Sequence, residues 1–472
     1  MATGSSLVLS GSPTPHEGDR LTFHWTTDAP DAKNWVGIYD GTRLPGTGSS
    51  LLWKYTPAAS GDLQLDTSAL TDGPYTAYLL AKDGYGILAR SAPFGFTPRP
   101  VAPRPHSAVD ALTATTVPPS AAFRIKLGGL WMRGSGTPVF RKVGGDSWLS
   151  VSSDGTVTGT APNAALSRPA VLTVGIKDPA GSADTITVQV PVNARKPQLK
   201  TATLNLCKAG AGIEDALEKQ LRLILTQGLD LVALQETAGT AAQALADALG
   251  WYAYQSAGSV GILSRYPLTE ITAATAELPA VGATVQFPGN RTVRFWAAHL
   301  DEADYGPYAV QDGRTAEATL ASENASVRGK QALALAALVK ADLAARKPVI
   351  LAAGLASPSH LDWTPATASA HGGVPALDWP VTVALQNAGL VDAYRLAHPD
   401  PAVSPGNTWS VTRTLRGGRP EPQDRIDQVQ FAGKLTLVEA HTLVTGWPQP
   451  EPGAAANGWP SDTAAAVATF TL

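Results

Sequence analysis

A chain of 472 residues, 44% hydrophobic and only 16% charged, exceeds one ordinary domain and points to about three, while 45 Gly and 37 Pro mark frequent turns between short strands. A formal net charge of −3 supplies no global basic field, so tight non-specific nucleic-acid binding has no electrostatic footprint, and the single Cys207 excludes an intramolecular disulfide and any multi-cysteine metal site. No stretch approaches the roughly 20 apolar residues that span a bilayer. The opening MATGSSLVLSGSP lacks the charged-then-apolar order of a signal peptide, so a mature secreted chain and a cytoplasmic one both fit, and a monomer is expected.

From Leu7 to about Phe96, apolar and polar residues alternate between Gly, Pro and Asp turns in RLTFHWTT, NWVGIYDG, LLWKYTP and PYTAYLLAKDGYGILA. This pattern predicts a small antiparallel β-sandwich over residues 1–97, with Trp35, Ile38, Tyr39, Trp53 and Tyr78 in or beside its core. The proline-rich TPRPVAPRPH predicts a semi-rigid linker over 98–106. A second β-sandwich is expected over 107–194, where WLSVSSDGTVTGTAP reads as two strands around an Asp154-Gly155 turn and PAVLTVGIKDPAGSADTITVQVPV as a hairpin. Both segments resemble immunoglobulin-like modules, the second those strung together in bacterial extracellular proteins and the first those attached to phosphoesterases. Neither contains a catalytic cluster.

Over 195–472 strands and helices alternate. LKTATLNL reads as a strand, and GIEDALEKQLRLILTQG as a helix with Ile213, Leu217, Leu221 and Ile224 on one face and Gly228 as its stop. LDLVALQE is a buried strand, followed by a helix near Thr240 to Leu249, strands in VGILSRYPL and TVRFWAAHLD, one long helix from about Leu320 to Ala345, and the strand KPVILAAG. The order predicts an α/β two-sheet sandwich with a ligand site along its strand-terminal edge.

Asn205, Glu236, His299, Asp427 and Asp462 each follow or end an apolar run, which would bring them to one rim. Carboxylate and amide oxygens are hard ligands suited to Mg²⁺, Mn²⁺ or Ca²⁺. Singly each is weak, because a Glu after a strand is commonly a solvated cap and an Asp in a turn commonly bonds its own backbone. The ordered set TLNL, DLVALQE, SVGILSRYPL, AHLD, SPSHLDW, PGNTWS, PQDRIDQV and WPSD…AAVATFTL resembles the endonuclease/exonuclease/phosphatase superfamily, whose deoxyribonuclease I-like fold is four-layered. The resemblance spans roughly Leu199 to Leu472. It implies that Asn205 and Glu236, with Asp462, hold a divalent metal, that His299 contacts the scissile phosphate, and that Asp427 orients a catalytic histidine.

The chain departs from that pattern at three places. Where members carry Gly-Asp-Phe-Asn, with the Asp positioning the attacking water and the Asn supporting the phosphate, this chain reads Ala353-Gly354-Leu355-Ala356; where they carry Ser-Asp-His, with His as base, it reads Ser461-Asp462-Thr463. A positioned general base contributes about 10² to 10⁴ in rate, so loss of these residues predicts a pseudoenzyme or ligand-binding protein, with weakened Mg²⁺ or Mn²⁺ binding and a phosphate-bearing or other small ligand in the cleft. One alternative is a repurposed enzyme using His299, His360, Asp301, Tyr305, Glu236 or Cys207; for Cys207 a packing role is favoured over a nucleophilic one. The other is residual metal-dependent phosphodiester or phosphomonoester hydrolysis, for which His360 is the available substitute base because Thr463 cannot take a proton near neutral pH.

Overall fold

The computed structural model describes residues 4–10, 15–40, 43–97, 104–194 and 198–472. The proline-rich linker falls mostly outside them, at 98–103. The chain divides into two compact units, one of residues 1–102 with 444–459 and one of residues 103–443 with 460–472.

In the first unit, strands Ser6–Ser10, Leu21–Thr26 and Ser60–Leu65 form one antiparallel sheet, and Trp35–Asp40, Leu52–Tyr55, Tyr75–Ala81 and Gly86–Arg90 form another. Alternate residues of both turn inward to one core of Leu7, Phe23, Trp25, Val36, Ile38, Leu63, Leu79, Phe94 and Phe96. Trp35, Tyr39 and Tyr78 are buried as expected, but Trp53 is 56% exposed, because its short strand lies at the sheet edge and its ring meets Trp35 and Tyr55 only edge-on. Residues 444–459 return to this unit, and Trp447 packs so close to Gly95 that a side chain there would collide with it.

The second unit begins with β-structure. Ala122–Lys126, Thr156–Thr160 and Leu149–Val151 form one sheet, with the turn at Asp154-Gly155, and Val139–Gly145, the hairpin Ala170–Lys177/Ala183–Val190 and Ala111–Thr113 form another. This segment docks on the helices that follow it. Gly129 abuts Ala248 at a spacing only glycine permits, Arg222 Nε donates to the Ala108 carbonyl at 3.1 Å, and His106 pairs with Glu218 at 2.9 Å.

The α/β part has two six-stranded sheets. The first orders Tyr252–Gln255, Gly261–Ser264, Leu231–Gln235, Gln198–Asn205, Ala465–Thr471 and Thr436–Leu443; the second orders Leu268–Thr272, Ala280–Phe287, Arg291–His299, Val349–Gly354, Asp427–Ala432 and Val391–Asp392. Between them lie Leu199, Leu231, Ile262, Val281, Phe295, Ile350, Val429 and Phe470. The outer face of the second sheet packs Trp296, Leu300 and Leu351 on Leu335, Val339 and Leu385 of helices Val327–Ala344 and Pro380–Asn387. Helices Ala216–Thr226 and Ala241–Leu249 belong to the first sheet's side, where Ala242 fits against Gly261. Apolar burial on both faces explains why these strands read as continuous hydrophobic runs.

Two helix expectations are corrected. Helix Ala216–Thr226 starts after Ile213 and leaves Leu217 42% exposed, while Leu221 and Ile224 are buried as expected, with Gln220 and Leu225 beside them. The expected long helix is two, Ala316–Ala325 and Val327–Ala344, because Ser326 takes an extended backbone and caps the second helix by accepting from the Gly329 N–H.

Candidate active site

Strand register gathers the predicted residues at one edge. Asn205 pairs with Gln235 across parallel strands, placing Glu236 next to it, and His299, Gly354 and Asp427 sit abreast on three neighbouring strands of the other sheet. The Asn205 Nδ2 donates to Glu236 Oε1 at 2.8 Å, its Oδ1 accepts from the Cys207 N–H at 2.8 Å, and the Lys208 N–H donates to Glu236 Oε2 at 2.7 Å. The backbone is held in the left-handed region at Cys207, Lys208, Ala209 and Glu236, so the loop around this carboxylate is conformationally costly. Such strain is common where a side chain must be aimed.

His299 is half-buried and its Nδ1 lies 3.4 Å from Ser259 Oγ; desolvation lowers its pKa, against the pull of Glu236, Glu302 and Asp301, and favours the neutral ring. Glu236, His299 and Glu302 each offer a ligand atom within 4.8 Å of the others. Glu302 was not foreseen: it lies in an exposed turn directly after AHLD, and the acidic run Asp301-Glu302 was the available signal.

Asp427 is 2% exposed, and its Oδ2 has no hydrogen-bond partner among the described residues. Thr408, from the PGNTWS motif, accepts from the Ile426 and Asp427 N–H groups at 3.0 Å each. Burial above all pushes the Asp427 carboxyl up to about 7; a hydrogen bond from Thr408 opposes this, and the charges of Asp462 and Glu236 add to it. A carboxyl that titrates near 3.9 when unfolded and near 7 when folded leaves stability intact below about pH 4 and erodes it as pH rises toward 7. Asp427→Asn should therefore flatten the fall of urea-unfolding free energy between those values, gaining on the parent at pH 8 relative to pH 4.5. Equal pH slopes in the two proteins would remove this assignment.

The other predicted residues have separate settings. Cys207 is half-buried, and burial first, then Asp462 and Glu236, push its thiol up to about 11, which disfavours the nucleophilic thiolate. Asp301 organises its turn, its Oδ1 accepting from the Ala303 N–H and its own N–H donating to Gln331. Thr463 is buried, 3.3 Å from Ser461 Oγ, and the Asp462 carbonyl accepts from the Val411 N–H at 2.8 Å.

The wording SPSHLDW is committed elsewhere. His360 places Nδ1 2.8 Å from Thr382 Oγ1 and Nε2 2.7 Å from Gln386 Oε1, so both ring nitrogens are engaged by helix Pro380–Asn387. Asp362 binds the guanidinium groups of Arg395 and Arg425, and Trp363 Nε1 donates to Asp424 at 2.8 Å. Tyr305 joins that buried network, its hydroxyl donating to the other Asp424 oxygen at 2.9 Å. A separate cavity of about 610 Å³ is lined by Asp362, Trp363, His371, Asp424 and Arg425 among others. Neither His360 nor Tyr305 is brought to the Asn205–Glu236 cluster by these bonds.

A model of the endonuclease/exonuclease/phosphatase family matches residues 202–462. The chain is 31% identical over 291 residues to an uncharacterized protein of Caenorhabditis elegans, F14F9.5, covering 58% of this chain and 91% of that one. Among solved structures it is similar to an endonuclease/exonuclease/phosphatase from Beutenbergia cavernae DSM 12333, at 16% identity and a TM-score of 0.37, over 59% of this chain and 72% of that one. It is also similar to an AP endonuclease from Archaeoglobus fulgidus, at 15% identity and a TM-score of 0.38, over 58% of this chain and 100% of that one.

Proposed function

Since the chain belongs to the endonuclease/exonuclease/phosphatase family, we propose that it is a member in which the phosphoesterase cleft serves to bind a phosphate-bearing ligand rather than to hydrolyse it. The observation that carries this reading is the strand end between His299 and Asp427, where Gly354 brings no side chain to the rim. An acid there would position water; without it, without an amide at Ala356 and without an imidazole at Thr463, the remaining groups can orient a ligand but cannot accept the proton of an attacking water at the usual places.

His299 is the group on this chain suited to contact an anionic ligand, and Glu236, held by Asn205 and the Lys208 N–H, is the anchored carboxylate for a cation. A divalent ion held there would supply charge neutralisation for phosphate oxygens. The two β-rich segments, read as immunoglobulin-like modules over 1–97 and 107–194, would space or dock the cleft. Bis-p-nitrophenyl phosphate with Mg²⁺ or Mn²⁺ should turn over at no more than background, while inorganic phosphate should bind the parent measurably and the His299→Ala variant more weakly. Turnover on the order of 1 per second, the low end of ordinary enzymes, would overturn the proposal.

A further inference from the structure

We infer that the cavity of about 610 Å³ bordered by Asp362 and Trp363 is a second ligand site, built for a small organic cation, an amine or amidinium carried on an apolar body. It shares no lining residue with the Asn205–Glu236–His299 cluster, and its volume falls within the roughly 300–1,000 Å³ of small-molecule pockets. Helix Gly306–Gln311, the 3₁₀ segment Pro365–His371 and the segments 395–407 and 420–425 contribute its lining. Pro307, Val310, Trp363, Pro420 and Pro422 supply apolar wall for the body of a ligand.

The charges in that wall select a cation. Arg395 and Arg425 are committed to Asp362 and Asp392. Glu421 and Asp424, 5% and 3% exposed, are held by neutral donors instead: Glu421 by the Tyr308 hydroxyl at 2.5 Å and Trp409 Nε1 at 2.8 Å, Asp424 by Trp363 Nε1 and the Tyr305 hydroxyl. Both donors to Glu421 bind Oε1, which leaves Oε2 for a ligand. Arg416 lies over the Tyr308 ring at 4.3 Å but forks onto Asp312. His371, stacked on Trp363 at 4.2 Å, does not supply the missing charge, because burial lowers its pKa against the pull of Asp362, and its Nε2 is 3.8 Å from Asp424 Oδ1, outside hydrogen-bond reach. Burial above all pushes the Asp424 carboxyl up to about 6; hydrogen bonds from Trp363 and Tyr305 oppose this, and the charges of Asp362 and Glu421 add to it. Two buried carboxyls without a cation are costly, and a bound cation between them offsets part of that cost.

The test uses the full chain and three probes of one shape: benzamidine, benzamide and benzoate, which differ in charge. Calorimetry should show one benzamidine site per chain, at least about 10-fold tighter than benzamide, the usual worth of a charge-assisted hydrogen bond, and no benzoate binding. Glu421→Gln keeps an acceptor oxygen for Tyr308 and Trp409 but removes the charge, so it should weaken benzamidine about 10-fold and leave benzamide within about 3-fold. Ala370→Trp, at an exposed position of the lining, should weaken both probes and keeps the fold even where the buried substitution does not. His299→Ala, in the other site, should leave benzamidine within about 3-fold of the parent, as expected of independent sites. No benzamidine binding at millimolar concentrations, equal binding of the three probes, or binding that survives both Glu421→Gln and Ala370→Trp would overturn the inference.

Discussion

Replacing Gly354 by Asp, Ala356 by Asn and Thr463 by His in one chain is expected to raise phosphodiesterase turnover by about 10² to 10⁴-fold over the parent, the range of a positioned general base. The backbone accommodates the first two changes. A Cβ at Gly354 would meet its neighbours at 3.4 to 3.6 Å, ordinary van der Waals separation. Ala356 has φ +49°, a conformation that costs an alanine about 1–2 kcal/mol and suits Asn better. The third is harder, because Thr463 is 3% exposed and an imidazole needs space its hydroxyl does not fill. Single replacements should do little, since such residues act as one unit. A triple variant with the parent's circular dichroism and melting behaviour, tested with several divalent metals and still inactive, would mean that the cleft has been reshaped for another ligand.

The second large effect concerns stability. Arg425, 1% exposed in its side chain, pairs through Nη2 with Asp362 at 2.9 Å and Asp392 at 2.7 Å, and through Nη1 with Asp392 at 3.1 Å. Asp362 also holds Arg395, whose guanidinium gathers the carbonyls of His398, Ser404 and Pro405. Arg425→Ala leaves Asp392 buried without a cation and Asp362 with one, and should cost about 3–5 kcal/mol in urea unfolding, the usual price of stripping one partner from a buried pair. Arg425→Lys keeps the charge but cannot bridge two carboxylates with a planar fork, so it should fall between. A loss under about 1 kcal/mol for the alanine variant would mean that the acids find other partners or become protonated.

Much of the rim was legible because Asn205 and His299 end buried strands, Glu236 directly follows one and Asp427 begins one. An apolar run stopping at Asn205, Glu236 or His299 carries its polar residue to the sheet edge whatever the neighbours do, and register then sets them side by side. The α/β part of the fold followed from the same alternation together with family wording. Partners far along the chain were not legible. The residues of SPSHLDW look catalytic in isolation, yet their side chains are claimed by Thr382, Gln386, Arg395, Asp424 and Arg425, more than twenty positions on. Glu302 was missed because its nearness to Glu236 and His299 is set by the fold and not by its neighbours in the chain. Trp53 and Leu217 were misplaced because hydrophobicity says that a side chain prefers burial, not that an edge strand or an outer helical face will provide it.

The return of residues 444–459 to the first unit makes that unit discontinuous in the chain. During vectorial synthesis the segment that meets Gly95 through Trp447 emerges only after more than three hundred intervening residues. The first unit therefore leaves the ribosome early in an unfinished form, with its remaining piece delivered by the excursion that precedes the last strand, Ala465–Thr471. That strand lies between Gln198–Asn205 and Thr436–Leu443, so the same final stretch of translation also completes the sheet that carries Asn205 and Glu236. Maturation of the amino-terminal unit and of the rim thus shares one late event, and a chain truncated before residue 444 would lack the finishing segment of both.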